Sequence, residues 1–260
     1  MILARTLLTA ALLLSPFAFS QSLVISNAEL QATAERIDRN ETGGQRARLV
    51  HWNDGEQFAS LGIGHFIWYP EGMQGPFVES FPGLILFYQQ HGVTLPPLFA
   101  QHQHSPWRTL AEFHAAYTSE AVQQAIDFLA ETKSLQVAYI MQRVEAALPQ
   151  MQAASQYPTH VAEQFYRLAN SSGGLYPLID YLNFKGEGTA ATERYQGQGW
   201  GLLQALERMN VDTSGPEALQ QFSEITGELM RERVANAPTE RGEQRWLAGW
   251  LVRTQSYRPQ

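Results

Sequence analysis

Apolar residues recur through most of this chain at the three- and four-residue spacing of amphipathic helices, with one early interval of strand-like alternation. Ser26-Asn27-Ala28-Glu29 fits a capping box, in which a hydroxyl and a carboxylate each satisfy a backbone donor at a helix start. Leu30, Ala34 and Ile37 follow at helical spacing, and Gly43-Gly44 ends that helix. Leu49 to Trp52 and Phe58 to Ile63 have strand character and flank Asn53-Asp54-Gly55, residues suited to a tight turn. Residues 66–97, rich in aromatics, Pro and Gly, predict loops with one short helix around Leu84 to Gln90. Helices are then predicted over 107–132, 134–148, 159–170, 174–183, 198–210, 216–235 and 240–254. Breaks are expected at Pro149, Pro158, Gly173-Gly174 and Gly186-Glu187-Gly188. The expected fold class is mainly α, within α+β. A hairpin lobe over about 41–70 faces a helical lobe over about 105–255, both in a single domain spanning 21–260. A cleft between two such lobes suits an extended ligand.

The remaining residues, 1–20, carry a separate signal. Arg5 gives a short positive start, an apolar run extends from Leu7 to Phe19, and Ala18-Phe19-Ser20 offers small residues before a cut at Gln21. Pro16 interrupts a run already too short to cross a bilayer. The expectation is a cleaved secretory leader, no transmembrane anchor afterwards, and a periplasmic or secreted protein. Composition narrows the chemistry further. With no cysteine among 260 residues there is no disulfide, thiolate or lipoprotein acylation site. The net charge of −7 argues against nucleic acid, which needs a basic stripe to displace counterions.

Glu41 is the leading candidate for chemistry. Leu30, Ala34, Ile37 and Glu41 stand at i, i+4, i+7 and i+11, so its carboxyl closes the apolar stripe of the first helix. Apolar surroundings and the negative end of the helix dipole both disfavour its charge, which is the condition a general acid near neutral pH requires.

The neighbourhood of Glu41 resembles the phage-type lysozymes. In that family a helix-terminal Glu precedes a hairpin carrying an Asp and then a Thr-Ile-Gly-Tyr/Ile-Gly-His stretch; here Glu41 is followed by Asp54 and by Ser60-Leu61-Gly62-Ile63-Gly64-His65. Leu178 to Thr189, with Gly186-Glu187-Gly188-Thr189 at its end, is similar to the family's helix that ends in Met-Gly-Glu-Thr-Gly. Pro238-Thr239-Glu240-Arg241 leading into Arg245-Trp246-Leu247-Ala248-Gly249-Trp250 resembles its Pro-x-x-Arg turn and last large helix. The order of the patches is kept, and residues 66–175 match nothing in the family. Ser replaces Thr at 60, and the Glu41–Asp54 interval is longer than in phage lysozymes.

The resemblance implies cleavage of peptidoglycan or a related glycan, with Glu41 as acid and Ser60 holding water. Asp54 would be the second carboxylate, or Glu56 in its place. Alternatively none is used, as in the lytic transglycosylases, where one Glu serves as acid and base. Two carboxyls about 6.5–9.5 Å apart would imply inversion, and about 5–5.5 Å retention. Trp52, Phe66, Trp68 and Tyr69 cluster at the hairpin, where rings can stack on sugar faces. His65 is expected to orient the cleft floor, and Gln204 is a further substrate-binding candidate. Trp107, Trp200, Trp246 and Trp250 are assigned to helix packing. His102-Gln103-His104 supplies too few ligands for a metal, and no cofactor fingerprint or Gly-x-Ser-x-Gly elbow occurs. A non-catalytic glycan-binding or structural periplasmic protein is the reading from a different class.

Overall fold

In the computed structural model, which describes residues 23, 25–75, 77–191, 194–210 and 212–259, regular structure begins with helix α1, Asn27–Glu41. The leader expected over 1–20 lies outside the described residues. The Ser26 hydroxyl accepts from Glu29 N at 3.1 Å, the first half of the expected capping box. The second half is not made. Glu29 Oε1 instead accepts from Gly173 N at 2.9 Å and ties the start of α1 to a distant loop. The inward face of α1 carries Thr33, Ala34, Ile37 and Asp38. Buried Asp38 is satisfied by Lys133 Nζ and Thr42 Oγ1, each at 2.5 Å, as a buried charge must be.

After a 3-10 turn at Arg46–Leu49, strands β1 (Val50–His51), β2 (Ala59–Leu61) and β3 (Phe66–Trp68) form an antiparallel sheet in sequence order. The register pairs Val50 with Leu61, and Leu61 in turn with Phe66. Both expected strands are present but short, and β3 occupies a stretch expected to be loop. Its aromatic and β-branched residues suit a strand, and both ends are buried.

The following segment covers this sheet. It forms α2 (Phe81–Gln90), α3 (Pro97–Gln101), α4 (Leu110–Ala116) and α5 (Glu120–Glu131). The long helix expected over 107–132 is thus two, because the Ser119 hydroxyl caps a new start by accepting from Val122 N. Trp68 packs 5.0 Å from Phe81 and 6.0 Å from both Phe99 and Trp107. Trp52 packs 6.0 Å from Phe113. All three residues of β2 are buried, so the sheet is enclosed rather than half-solvated.

The helical bulk comprises α6 (Lys133–Ala154), α7 (Pro158–Ala169), α8 (Leu175–Lys185), α9 (Leu202–Arg208), α10 (Pro216–Asn236) and α11 (Gln244–Gln255). Pro149 does not break α6. It lies on the exposed side of the helix, away from the core. The helix expected over 198–210 begins instead as a hairpin, β4 (Arg194–Tyr195) with β5 (Gln198–Gly199). The helix expected from 240 starts at Gln244, after a 3-10 turn at Thr239–Arg241. The protein is mainly helical with a small antiparallel sheet, and one hydrophobic cluster runs from Ala34 through the sheet and the bulk to Tyr257. No helix among the described residues is long and apolar enough to cross a membrane.

Candidate functional site

Glu41 is the last residue of α1. Thr42 caps it, donating its backbone N–H to Asp38 O at 2.9 Å, and the chain then turns away at Gly43-Gly44. The turn between β2 and β3 approaches from the other side. Gly62 has φ +67°, a left-handed conformation natural to glycine, and a Cβ there would stand 2.3 Å from Gln136 Oε1. That oxygen already accepts from Ile63 N at 2.8 Å, which clamps the turn onto α6. At Gly64 a Cβ would lie 2.6 Å from the Phe66 ring. The two glycines therefore let the turn sit close against the core, and His65 follows at its rim. His65 Nδ1 lies 3.7 Å from Glu41 Oε2, beyond hydrogen-bond reach and attractive only when the imidazole is protonated.

The third side comes from the helical bulk. Asn183 and Phe184 stand near the end of α8, and Arg253 is in the last turn of α11. With Glu41, Ile63, Gly64 and His65 they line an open cleft of about 370 Å³. Arg253 is held by buried Asp180, whose two oxygens accept from Nε and Nη2 at 2.8 Å each. Tyr257 donates a third bond to Asp180 at 2.6 Å. Burial works against the charge of Arg253, but the bonds and charge of Asp180 outweigh it and fix the guanidinium as a cation. Burial and then the charge of Asp180 push the Tyr257 phenol well above its usual range, so it stays a donor. Arg253 Nη2 also reaches Glu41 Oε1 at 3.2 Å, and its guanidinium lies 4.5 Å over the Phe184 ring.

The wall beside Glu41 is thus polar rather than apolar. The field it feels is that of a cation already forked to Asp180, so Arg253 orients the carboxylate while most of its charge is met elsewhere. About a third of the Glu41 side chain remains open to the cleft.

Other predicted site residues lie elsewhere. Asp54 is exposed in the hairpin turn. Glu56 is held locally, accepting from Asn53 Nδ2 at 2.9 Å while its carbonyl accepts from Trp52 Nε1. Ser60 is buried in the middle of β2, paired with His51 and Ile67. None of the three lines the cleft with Glu41. Trp52, Trp68 and Tyr69 are 4%, 1% and 4% exposed, so as folded they hold the sheet to its cover and offer no ring face to a sugar. Gln204 is not at this cleft either. Its amide bridges two backbones, accepting from Gly201 N at 2.9 Å and donating to Gly188 O at 3.0 Å.

Asp180, Asn183, Phe184 and Arg253 have no assigned role in the sequence reading. The first three fall within the stretch that resembles the lysozyme helix. Arg253 continues the helical face of Trp246 and Trp250, which was a usable signal for it. Comparison with known proteins finds no matching family model, no matching curated protein and no matching solved structure.

Proposed function

We propose that the chain is a lysozyme-like glycosidase that cleaves the β-1,4-linked amino-sugar polymer of peptidoglycan, with Glu41 as the general acid. One observation carries this. Three stretches that resemble phage-type lysozymes lie far apart in sequence, and a residue from each, or from the helix it opens, lines one cleft. Glu41 and His65 come from the first, Asn183 and Phe184 from the second, and Arg253 from the last helix. In the reaction Glu41 gives its proton to the glycosidic oxygen as the bond to the anomeric carbon breaks. Water then adds at that carbon and its proton returns to Glu41. The leader-like residues 1–20 support a periplasmic or secreted site of action.

A second reading, cleavage without hydrolysis, has its own support: Glu41 is the sole carboxylate lining the cleft among the described residues. A hydroxyl of the same sugar would then take the place of water and leave an anhydro end. Mass spectrometry of products from purified sacculi separates the two, since only hydrolysis adds the mass of water. Glu41→Gln is expected to abolish release under either reading. Release equal to wild type would remove Glu41 from the chemistry. Binding of sacculi without release by the wild type would favour a non-catalytic glycan-binding protein.

A further inference from the structure

Four tryptophans, Trp52, Trp68, Trp107 and Trp200, are no more than 5% exposed, but Trp246 is 44% exposed. Its position is informative. Trp246, Trp250 and Arg253 stand at i, i+4 and i+7 of α11, one face of the helix, and Arg253 is the residue that meets Glu41. The rings form a series. Trp246 and Trp250 have centroids 6.0 Å apart and planes 31° apart, and Trp250 meets Phe184 edge-on at 6.2 Å. Phe184 lines the Glu41 cleft. At helical rise, Trp246 lies about 10 Å along the axis from Arg253, roughly the length of a disaccharide.

Cations accompany the rings. Arg245 lies 4.3 Å over Trp246, and Lys185 Nζ lies 3.5 Å over Trp250 and 3.8 Å over Phe184. Arg233 is 5.0 Å from Trp250, its charge met by buried Glu243 through two bonds of 2.8 Å. A protein of net charge −7 thus gathers positive charge beside its one partly open tryptophan pair.

We propose that this face of α11 is a glycan-binding track that extends the Glu41 cleft and takes sugar units of the same polymer beyond the bond that breaks. The assignment rests on the reading of the Glu41 cleft as a glycosidase site. Continuity identifies the occupant, because the ring series runs into the cleft itself. Its chemistry agrees: pyranose C–H faces pack on indole faces, and the carboxylates of muramic acid suit exposed Arg245.

The test is steady-state kinetics on soluble, peptide-free peptidoglycan strands, comparing wild type with Trp246→Ala and Trp246→Phe. Trp246→Ala is expected to raise KM about three- to tenfold, the loss of one stacking contact, while kcat falls far less. Trp246→Phe should recover most of the loss. An active wild type with KM unchanged in Trp246→Ala overturns the track and leaves the Glu41 reading standing. So does a Trp246-dependent dimer with unchanged KM, which would assign the ring to self-association. A wild type that cleaves nothing removes both.

Discussion

Lys185 shows how local surroundings override a residue's ordinary charge. It is 7% exposed, and its nitrogen faces the Phe184 and Trp250 rings. Burial pushes its amine down from 10.5 to about 7; Arg233 and Arg253 add to that, and Glu243 opposes it. Between about pH 7 and 10.5 the unfolded chain therefore holds a proton that the folded chain lacks. Stability should rise with pH across that window, by at most about 1.4 kcal/mol per unit, and the full cost of the buried charge is borne below it. Denaturant titrations at several pH values should show this rise in wild type, with Lys185→Met more stable at neutral pH and lacking that component. Parallel curves would contradict it. Asp180 makes the opposite case, since it is buried but fully partnered. Asp180→Asn is expected to cost about 2–4 kcal/mol by thermal unfolding, less than for a wholly buried pair because Arg253 keeps some exposure. At this scale Glu41 and His65 were legible, because helix end and turn are local signals. The Arg253–Asp180 fork was not, for it joins residues far apart whose pairing no periodicity encodes.

Among the elements, α1 positions Glu41, the β2–β3 turn brings His65 to it, and α6 holds the turn. Buried Gln136 does both jobs of its amide, accepting from Ile63 N at 2.8 Å and donating to Leu129 O at 2.7 Å. Gln136→Leu leaves two buried backbone groups unpaired and should cost about 2–4 kcal/mol. The turn would also loosen, so activity should fall by more than the loss of folded protein explains, as assayed well below the unfolding midpoint. Full activity in a destabilised variant would contradict the positioning role. The first helix, the hairpin and the later helices were readable from spacing. The misses share a cause: tertiary contacts outvoted local propensity. Glu29 left its capping box for Gly173, the enclosed β3 read as loop, and Pro149 passed through α6 on an exposed side.

Over the whole molecule, the stretch between the sheet and α6 explains what the hairpin's aromatics do. The segment from α2 to α4 covers the sheet with Phe81, Phe99, Trp107 and Phe113, which turns Trp52 and Trp68 from expected sugar contacts into core. The proposed polymer track accordingly lies on α8 and α11, with Phe184, Trp250 and Trp246. Sequence patterning read the mainly helical character and the small antiparallel sheet correctly, because periodicity is a property of each element alone. It left Trp52 and Trp68 open to a ligand because which aromatics are covered depends on packing between elements. The central claim is that Glu41 breaks a glycan bond in the cleft it shares with His65, Phe184 and Arg253. The most direct measurement is soluble muropeptide release from purified sacculi by wild type and Glu41→Gln, at equal concentrations and with matched unfolding midpoints. Release by wild type and none above background by Glu41→Gln is expected; equal release by both, or release by neither, would contradict a catalytic Glu41.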